Sequence, residues 1–214
     1  MSQREFFPAA GHDLFLPVYD PIVNLMGFDR ARQELISAAD IEPGHHVLDI
    51  GCGTGTLVVK LKRQYPSAHV VGIDPDPKVL RRARTKATRA AVSVQLDAGF
   101  ADQLPYKDDS FDRVFSSFMF HHLEEQEREN MLREVLRVLK VNGSLHLVDF
   151  IADDASHGFF DRLFQAHARM RDNRNATILE LMRRVGLTNA AKINDGSMLF
   201  GLLRTAYYQA SATK

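Results

Sequence analysis

The stretch Val47-Leu48-Asp49-Ile50-Gly51-Cys52-Gly53-Thr54-Gly55 decides the fold. Apolar positions around an acid read as a buried β-strand, and three glycines at alternate positions follow at once. Beyond them Leu57, Val58, Leu61 and Tyr65 fall at helical spacing. The segment is a strand, a glycine-rich turn and a helix N-terminus. Glycines let a backbone approach a ligand where any Cβ would collide. The helix N-terminus offers free N–H groups and a positive dipole end to an anionic group. Such a turn is shaped for a nucleotide-like ligand carrying a carboxylate or phosphate.

The spacing narrows the ligand. A dinucleotide fingerprint reads G-x-G-x-x-G, whereas this turn reads G-x-G-x-G and holds Thr56 where the third dinucleotide glycine belongs. Asp49, two residues before the first glycine, is also foreign to that fingerprint. With these residues the chain resembles the class I S-adenosylmethionine-dependent methyltransferases, whose first motif reads much like LDIGCGTG. Further segments match in order. Val70-Val71-Gly72-Ile73-Asp74 is a second strand ending in an acid, and Leu104-Pro105-Tyr106 precedes Ser110-Phe111-Asp112-Arg113-Val114-Phe115-Ser116. His121-His122-Leu123 follows, and Arg137-Val138-Leu139-Lys140 leads through Asn142-Gly143 into a fifth strand ending at Phe150. The likeness is greatest to the quinone and sterol C-methyltransferase branch, and it runs from about Pro43 to Phe150.

The resemblance implies an α/β fold with a doubly wound, mostly parallel seven-stranded sheet of Rossmann-like type and one antiparallel strand near the C-terminus. It implies S-adenosyl-L-methionine as cofactor, S-adenosyl-L-homocysteine as product, and a small-molecule methyl acceptor of aromatic or quinone-like character. The cofactor residues it points to are Asp49, Gly51, Cys52, Gly53 and Gly55 in the turn, Asp74 and Pro75 at the ribose, Phe100 and Ala101 at the adenine, and Ser116 and Ser117 beside the methionine end. Gly99-Phe100-Ala101 departs from the family's Gly-Asp-Ala, so an apolar contact replaces an acid at the adenine, unless Asp97 or Asp102 substitutes. Val141-Asn142-Gly143 replaces a Pro-Gly-Gly turn, and Asn tolerates the left-handed geometry.

A sulfonium methyl is already activated, so the protein's main task is alignment and exclusion of water. A base is needed only where the acceptor loses a proton, and His121 and Tyr19 are the candidates. Phe118 and Tyr19 are the candidates for cation–π contact with a sulfonium. Two alternatives remain: a nicotinamide-dependent oxidoreductase on a similar sheet, opposed by Thr56, and a cofactor-binding module without activity, for which Phe100 is the only support.

Other features read more plainly. Cys52, the single cysteine of 214 residues, has no base nearby and reads as a small filler. His121-His122, taken as extended, would point opposite ways and lacks a spaced ligand set, so no metal is expected. Lys78, Arg81, Arg82, Arg84, Lys86 and Arg89 read as the solvated side of a helix. Lys+Arg and Asp+Glu balance at 27 each, which gives no general electrostatic case for a nucleic-acid substrate. No signal-peptide stretch or membrane span is present, so cytoplasmic placement is the expectation.

One domain is expected, in three parts. Residues 1–40 form a helical lid or cap, with Asp20-Pro21 starting a helix that Gly27 breaks and Asp29 re-caps. Residues 43–150 form the core, with Asp76-Pro77 opening a helix, a third strand at 92–96 and a helix over about 124–139. Residues 151–214 hold helices near 156–170 and 176–185, the second stopped by Gly186, then strands at 187–194 and 198–207 joined by an Asp195-Gly196 turn.

Overall fold

The computed structural model describes residues 27–151, 175–198 and 203–213. Its chain order is α1 (Phe28–Ser37), β1 (His46–Ile50), α2 (Thr56–Gln64), β2 (His69–Asp74), α3 (Pro77–Arg89), β3 (Gln95–Ala98), β4 (Phe111–Ser117), α4 (Glu125–Val138), β5 (Leu139–Phe150), α5 (Asn175–Arg184), β6 (Thr188–Met198) and β7 (Leu203–Ser211). The seven strands form one sheet in the order β3-β2-β1-β4-β5-β7-β6. All neighbouring pairs are parallel except those made by β7, which runs antiparallel to both β5 and β6. This is the expected doubly wound sheet with its single reversed strand.

The central strands are buried on both faces, so they read as near-continuous apolar runs. On one face α1, α2 and α3 bury Leu35, Ile36, Leu57, Leu61 and Leu80 against Val47 and Phe115. On the other, α4 and α5 bury Met131, Leu132, Val135, Ile178 and Met182 against Leu48, Val114, Leu145 and Leu147. The caps are local. The Asp76 side chain accepts from the Lys78 N–H at 2.7 Å with Pro77 in the first turn, as the Asp-Pro pair predicts. A reciprocal Glu124–Glu127 capping box opens α4. Gly186, at φ 98°, follows the end of α5.

Four expectations are corrected. The third strand lies at Gln95–Ala98 rather than 92–96, because residues 90–92 finish α3: Ala91 is left-handed at φ 52° and the Val92 N–H closes on Ala87 O at 3.1 Å. Asp195-Gly196 is no turn. Both lie inside β6, paired with Ala206 and Thr205, and a Cβ on Gly196 would lie 2.6 Å from Thr205 Oγ1. The glycine serves close strand approach, and β7 is displaced to Leu203–Ser211 so that Ala206, Tyr208 and Ala210 reach the core. Asp29 does not re-cap α1; Gly27 is the N-cap at φ 97°, while Asp29 sits in the first turn and pairs with Lys60 at 2.9 Å. Val141-Asn142-Gly143 is absorbed into a long β5, with Asn142 left-handed at φ 64° and its N–H bonded to Ala212 O at 3.1 Å. Of the lid or cap expected over residues 1–40, residues 1–26 lie outside the described residues, as does the helix near 156–170.

Candidate active site

The chain winds outward from β1 to β3 and returns to β4 on the other side of β1. The crevice at the carboxyl ends of β1 and β4 is therefore the switch point where ligands of open α/β sheets bind.

The turn after β1 is held by backbone hydrogen bonds, two of them to β2. The Gly51 and Cys52 N–H groups both donate to Ile73 O, at 2.9 and 3.0 Å, and the Gly55 N–H donates to Cys52 O at 2.9 Å. All three glycines have positive φ (71°, 53° and 78°), but for different purposes. A Cβ on Gly55 would lie 2.8 Å from Ala83 Cβ, so this glycine lets α2 pack on α3. A Cβ on Gly51 would lie 2.3 Å from Met119 Cγ, so this one seats the loop after β4. A Cβ on Gly53 would meet no atom of the described residues within 4 Å. Only Gly53 faces open space.

Two acids frame that space. Asp49 is buried at 1% exposure, and neither carboxylate oxygen has a hydrogen-bond partner among the described residues. Burial pushes its carboxyl up to about 8, a rise that the Arg32 guanidinium from α1 opposes and the charge of Asp74 adds to. Asp74 accepts from the Gly53 N–H through Oδ2 and from the Asp76 N–H through Oδ1, both at 2.9 Å. Burial raises it to about 6, with those two N–H groups pulling the other way. Asp76, not Asp74, caps α3. Ser116 is fully buried near the end of β4, and its Oγ has no hydrogen-bond partner among the described residues.

Cys52 fits the filler reading: it is buried, and a Cβ on Gly72 would lie 2.9 Å from its Sγ. Burial pushes its thiol well above the usual range. Phe100 and Ala101 are half-buried in the turn after β3, and Asp97 is held by the Tyr106 hydroxyl at 3.0 Å and the Gln95 amide at 2.7 Å. Pro75 and Ser117 are half-buried beside Asp74 and Ser116. Tyr19 lies outside the described residues.

The far wall is aromatic. Phe118 is left-handed at φ 56°, a conformation costing roughly 1–2 kcal/mol for a non-glycine residue. Its N–H is held by Val148 O at 2.9 Å, and its ring lies 4.5 Å from Phe28 and 5.1 Å from Phe150. The Arg32 guanidinium stands 5.8 Å over Phe28 and 5.9 Å over Phe118.

The histidine pair differs from the sequence expectation. Phe120–His122 is a short 3₁₀ turn, not an extended segment, and the two imidazole rings lie 4.0 Å apart rather than on opposite sides. His121 is buried. Its Nδ1 meets Asp149 Oδ1 at 2.6 Å, and its backbone N–H donates to Asp149 Oδ2 at 2.9 Å. Among the described residues, no group of three or more His, Cys, Asp or Glu side chains is arranged to hold a metal ion, and no helix is long and apolar enough to cross a membrane.

Sequence reasoning missed Asp149, Arg32, Met119 and Lys86. Asp149 had a signal, since it is an acid near the tip of an apolar strand, as Asp49 and Asp74 are. Lys86 was counted with a solvated run, but its Nζ donates to Thr54 Oγ1 at 3.1 Å and Thr56 Oγ1 at 2.7 Å, pinning α3 to the glycine turn. Met119 and Arg32 reach the site by tertiary packing alone.

Comparison with known proteins agrees with this fold. Residues 47–143 match the methyltransferase domain family. A demethylmenaquinone methyltransferase of Deinococcus radiodurans is 34% identical over 154 residues, covering 71% of this chain and 62% of that protein. The chain thus spans about three fifths of that relative's length. The YcgJ protein of Bacillus subtilis superposes at a TM-score of 0.73, with 20% identity over 87% of this chain and 99% of that one. The geranyl diphosphate C-methyltransferase of Streptomyces coelicolor, solved with Mg²⁺, geranyl diphosphate and S-adenosyl-L-homocysteine, superposes at 0.71, with 13% identity over 86% and 79% of the two chains. The fold and glycine turn define a class I methyltransferase architecture. Within it, residues 47–143 carry a methyltransferase domain, and the chain is similar to the demethylmenaquinone methyltransferases.

Proposed function

We propose that this protein transfers the methyl group of S-adenosylmethionine to a small, flat, hydroxylated acceptor of quinol-like character. The single observation that carries the cofactor is Asp49: a buried carboxylate with two unpartnered oxygens beside a glycine that faces open space. A buried acid in that state needs a donor, and the ammonium group of a methionine moiety is one. The positive end of α2 and the N–H groups of the turn suit the carboxylate of the same moiety. Asp74, which each oxygen ties to only one N–H, retains acceptor capacity for ribose hydroxyls. Phe100 and Ala101 would flank the adenine, and Ser116 and Ser117 the methionine end.

When bound, S-adenosylmethionine supplies an electrophilic methyl group on a sulfonium. The chain's own residues bind, orient and exclude water. The Phe28–Phe118–Phe150 wall offers apolar faces to a flat acceptor and fits the quinone chemistry named for the Deinococcus relative. His121 is placed beside that wall, 5.3 Å from the Phe150 ring. We take the chain as one domain whose core, residues 43–150, carries the cofactor site.

Calorimetric titration with S-adenosylmethionine, S-adenosylhomocysteine and NAD tests the cofactor. Binding of the first two and silence with NAD is expected; binding of NAD alone would return the nicotinamide reading. Incubation with a reduced naphthoquinone, followed by mass spectrometry for the gain of one CH₂, tests the acceptor class.

A further inference from the structure

We infer that Asp149 is a positioning residue that makes His121 a proton acceptor for the methylated molecule, and hence that the acceptor must lose a proton on methylation. The inference rests on the proposed methyl transfer and adds the acceptor's chemistry to it.

Asp149, near the end of β5, is fully buried. Its oxygens receive three donors: the His121 ring through Nδ1 at 2.6 Å, the His121 backbone N–H at 2.9 Å and the Phe150 N–H at 2.7 Å. A carboxylate accepts only, so Nδ1 carries the ring proton and Nε2 keeps its lone pair. One carboxylate holding both the ring and the backbone of the same residue fixes the ring's direction as well as its tautomer. The turn is braced from behind by the buried Arg128, whose guanidinium donates to Phe120 O at 3.2 Å and His121 O at 3.4 Å. Other titratable neighbours are His122, whose ring lies 4.0 Å away, and Tyr208, whose hydroxyl is held above its usual range by burial and by Asp149. Among the described residues His121 Nε2 has no hydrogen-bond partner, while the side chain keeps 11% exposure beside the aromatic wall. A core histidine needs no buried acid to fix its tautomer while one nitrogen is left open. A base does.

In the step itself, the O–H bond of the acceptor breaks and the proton goes to Nε2. The freed electron pair, on oxygen or delivered through the ring to carbon, forms the bond to the methyl carbon. The sulfur–methyl bond breaks with its pair left on sulfur as a thioether. The imidazolium, held through Nδ1–H by Asp149, then releases its proton to water.

Nitrogen-detected NMR of histidine-labelled protein reads the tautomer without any acceptor, with the His121 signal identified by its loss in His121→Gln. The Nδ1–H form is expected in the neutral ring, against the Nε2–H form that histidine prefers in water. In Asp149→Asn a single amide oxygen cannot accept from all three donors, so the ring should lose its fixed tautomer and the Nε2–H form of His121 should appear. With reduced naphthoquinone that variant should lose about 10²-fold or more in turnover, within the range of a general base, while its S-adenosylmethionine affinity stays within twofold. The loss should shrink as pH rises and the acceptor hydroxyl ionises unaided. An Nε2–H wild-type ring with S-adenosylmethionine bound overturns the inference and leaves methyl transfer standing; failure to bind the cofactor at all overturns both. If Asp149→Asn does not fold, the wild-type tautomer and the turnover of His121→Gln decide.

Discussion

Asp49 and Asp149 sit at comparable depth in the same sheet, and they differ in how they are partnered. Asp49 is 1% exposed with both oxygens unpartnered; Asp149 is 0% exposed with three donors. By strand alternation they also face opposite layers: Asp49 shares its side with Val47, among α1–α3, and Asp149 shares its side with Leu145 and Leu147, among α4–α5. An unsatisfied buried acid is destabilising unless something else binds it, so it marks where a ligand belongs. A satisfied one acts through the group it holds. In the proposed function the first half of the sheet would receive the cofactor, while the second orients a side chain.

The largest effect expected from breaking this contrast is at Gly53. Valine there fills the only glycine position in the turn that faces open space, so S-adenosylmethionine binding should vanish by calorimetry. Circular dichroism should show the fold retained, with a melting-temperature loss from the left-handed backbone. Wild-type affinity in a folded Gly53→Val protein would falsify the site.

Asp49→Asn comes next and should act in opposite directions on two quantities. Cofactor Kd should rise about 30-fold or more, since hydrogen bonds to charged groups contribute roughly 1.5–3 kcal/mol. The ligand-free protein should become more stable. Its carboxyl binds a proton in the folded state up to about pH 8 but loses it near pH 4 when unfolded, so ionisation destabilises the fold progressively as pH rises through that window. The variant's advantage in melting temperature should therefore grow from pH 5 to pH 8. An advantage independent of pH would show that Asp49 is not held protonated.

Asp74→Ala should raise cofactor Kd by about tenfold, equivalent to 1.4 kcal/mol, because it removes ribose acceptors and also frees the Gly53 N–H. A change below twofold would mean that Asp74 serves only the turn. Lys86→Ala should have the smallest effect, about two- to threefold in Kd, by releasing Thr54 and Thr56 at the start of α2. An effect as large as that of Asp74→Ala would give Lys86 a direct contact with the cofactor.

The parts of the site that were legible are those a single segment specifies. Val47 to Gly55 contains the strand, the acid and the turn within hydrogen-bond reach of one another, and Val70 to Asp74 repeats the logic. The His121-His122 pair was legible as a site and misread in geometry, because no local rule says whether two histidines after a strand are extended or curled into a 3₁₀ turn. The Asp195-Gly196 pair misled for a related reason. Its hairpin meaning is statistical, and pairing with Thr205 and Ala206 outweighs it.

The sequence by itself determined the alternation of strands and helices, the glycine turn and the kind of ligand that turn accepts, since apolar periodicity and glycine spacing act over a few residues. Only the tertiary structure decided which acid stays unpartnered, which glycine faces open space and which histidine has a fixed tautomer. Each depends on a contact between residues far apart in the chain: Asp149 with His121, Met119 with Gly51, Ala83 with Gly55. Burial and hydrogen-bond satisfaction are properties of the packed sheet, and no single segment carries them.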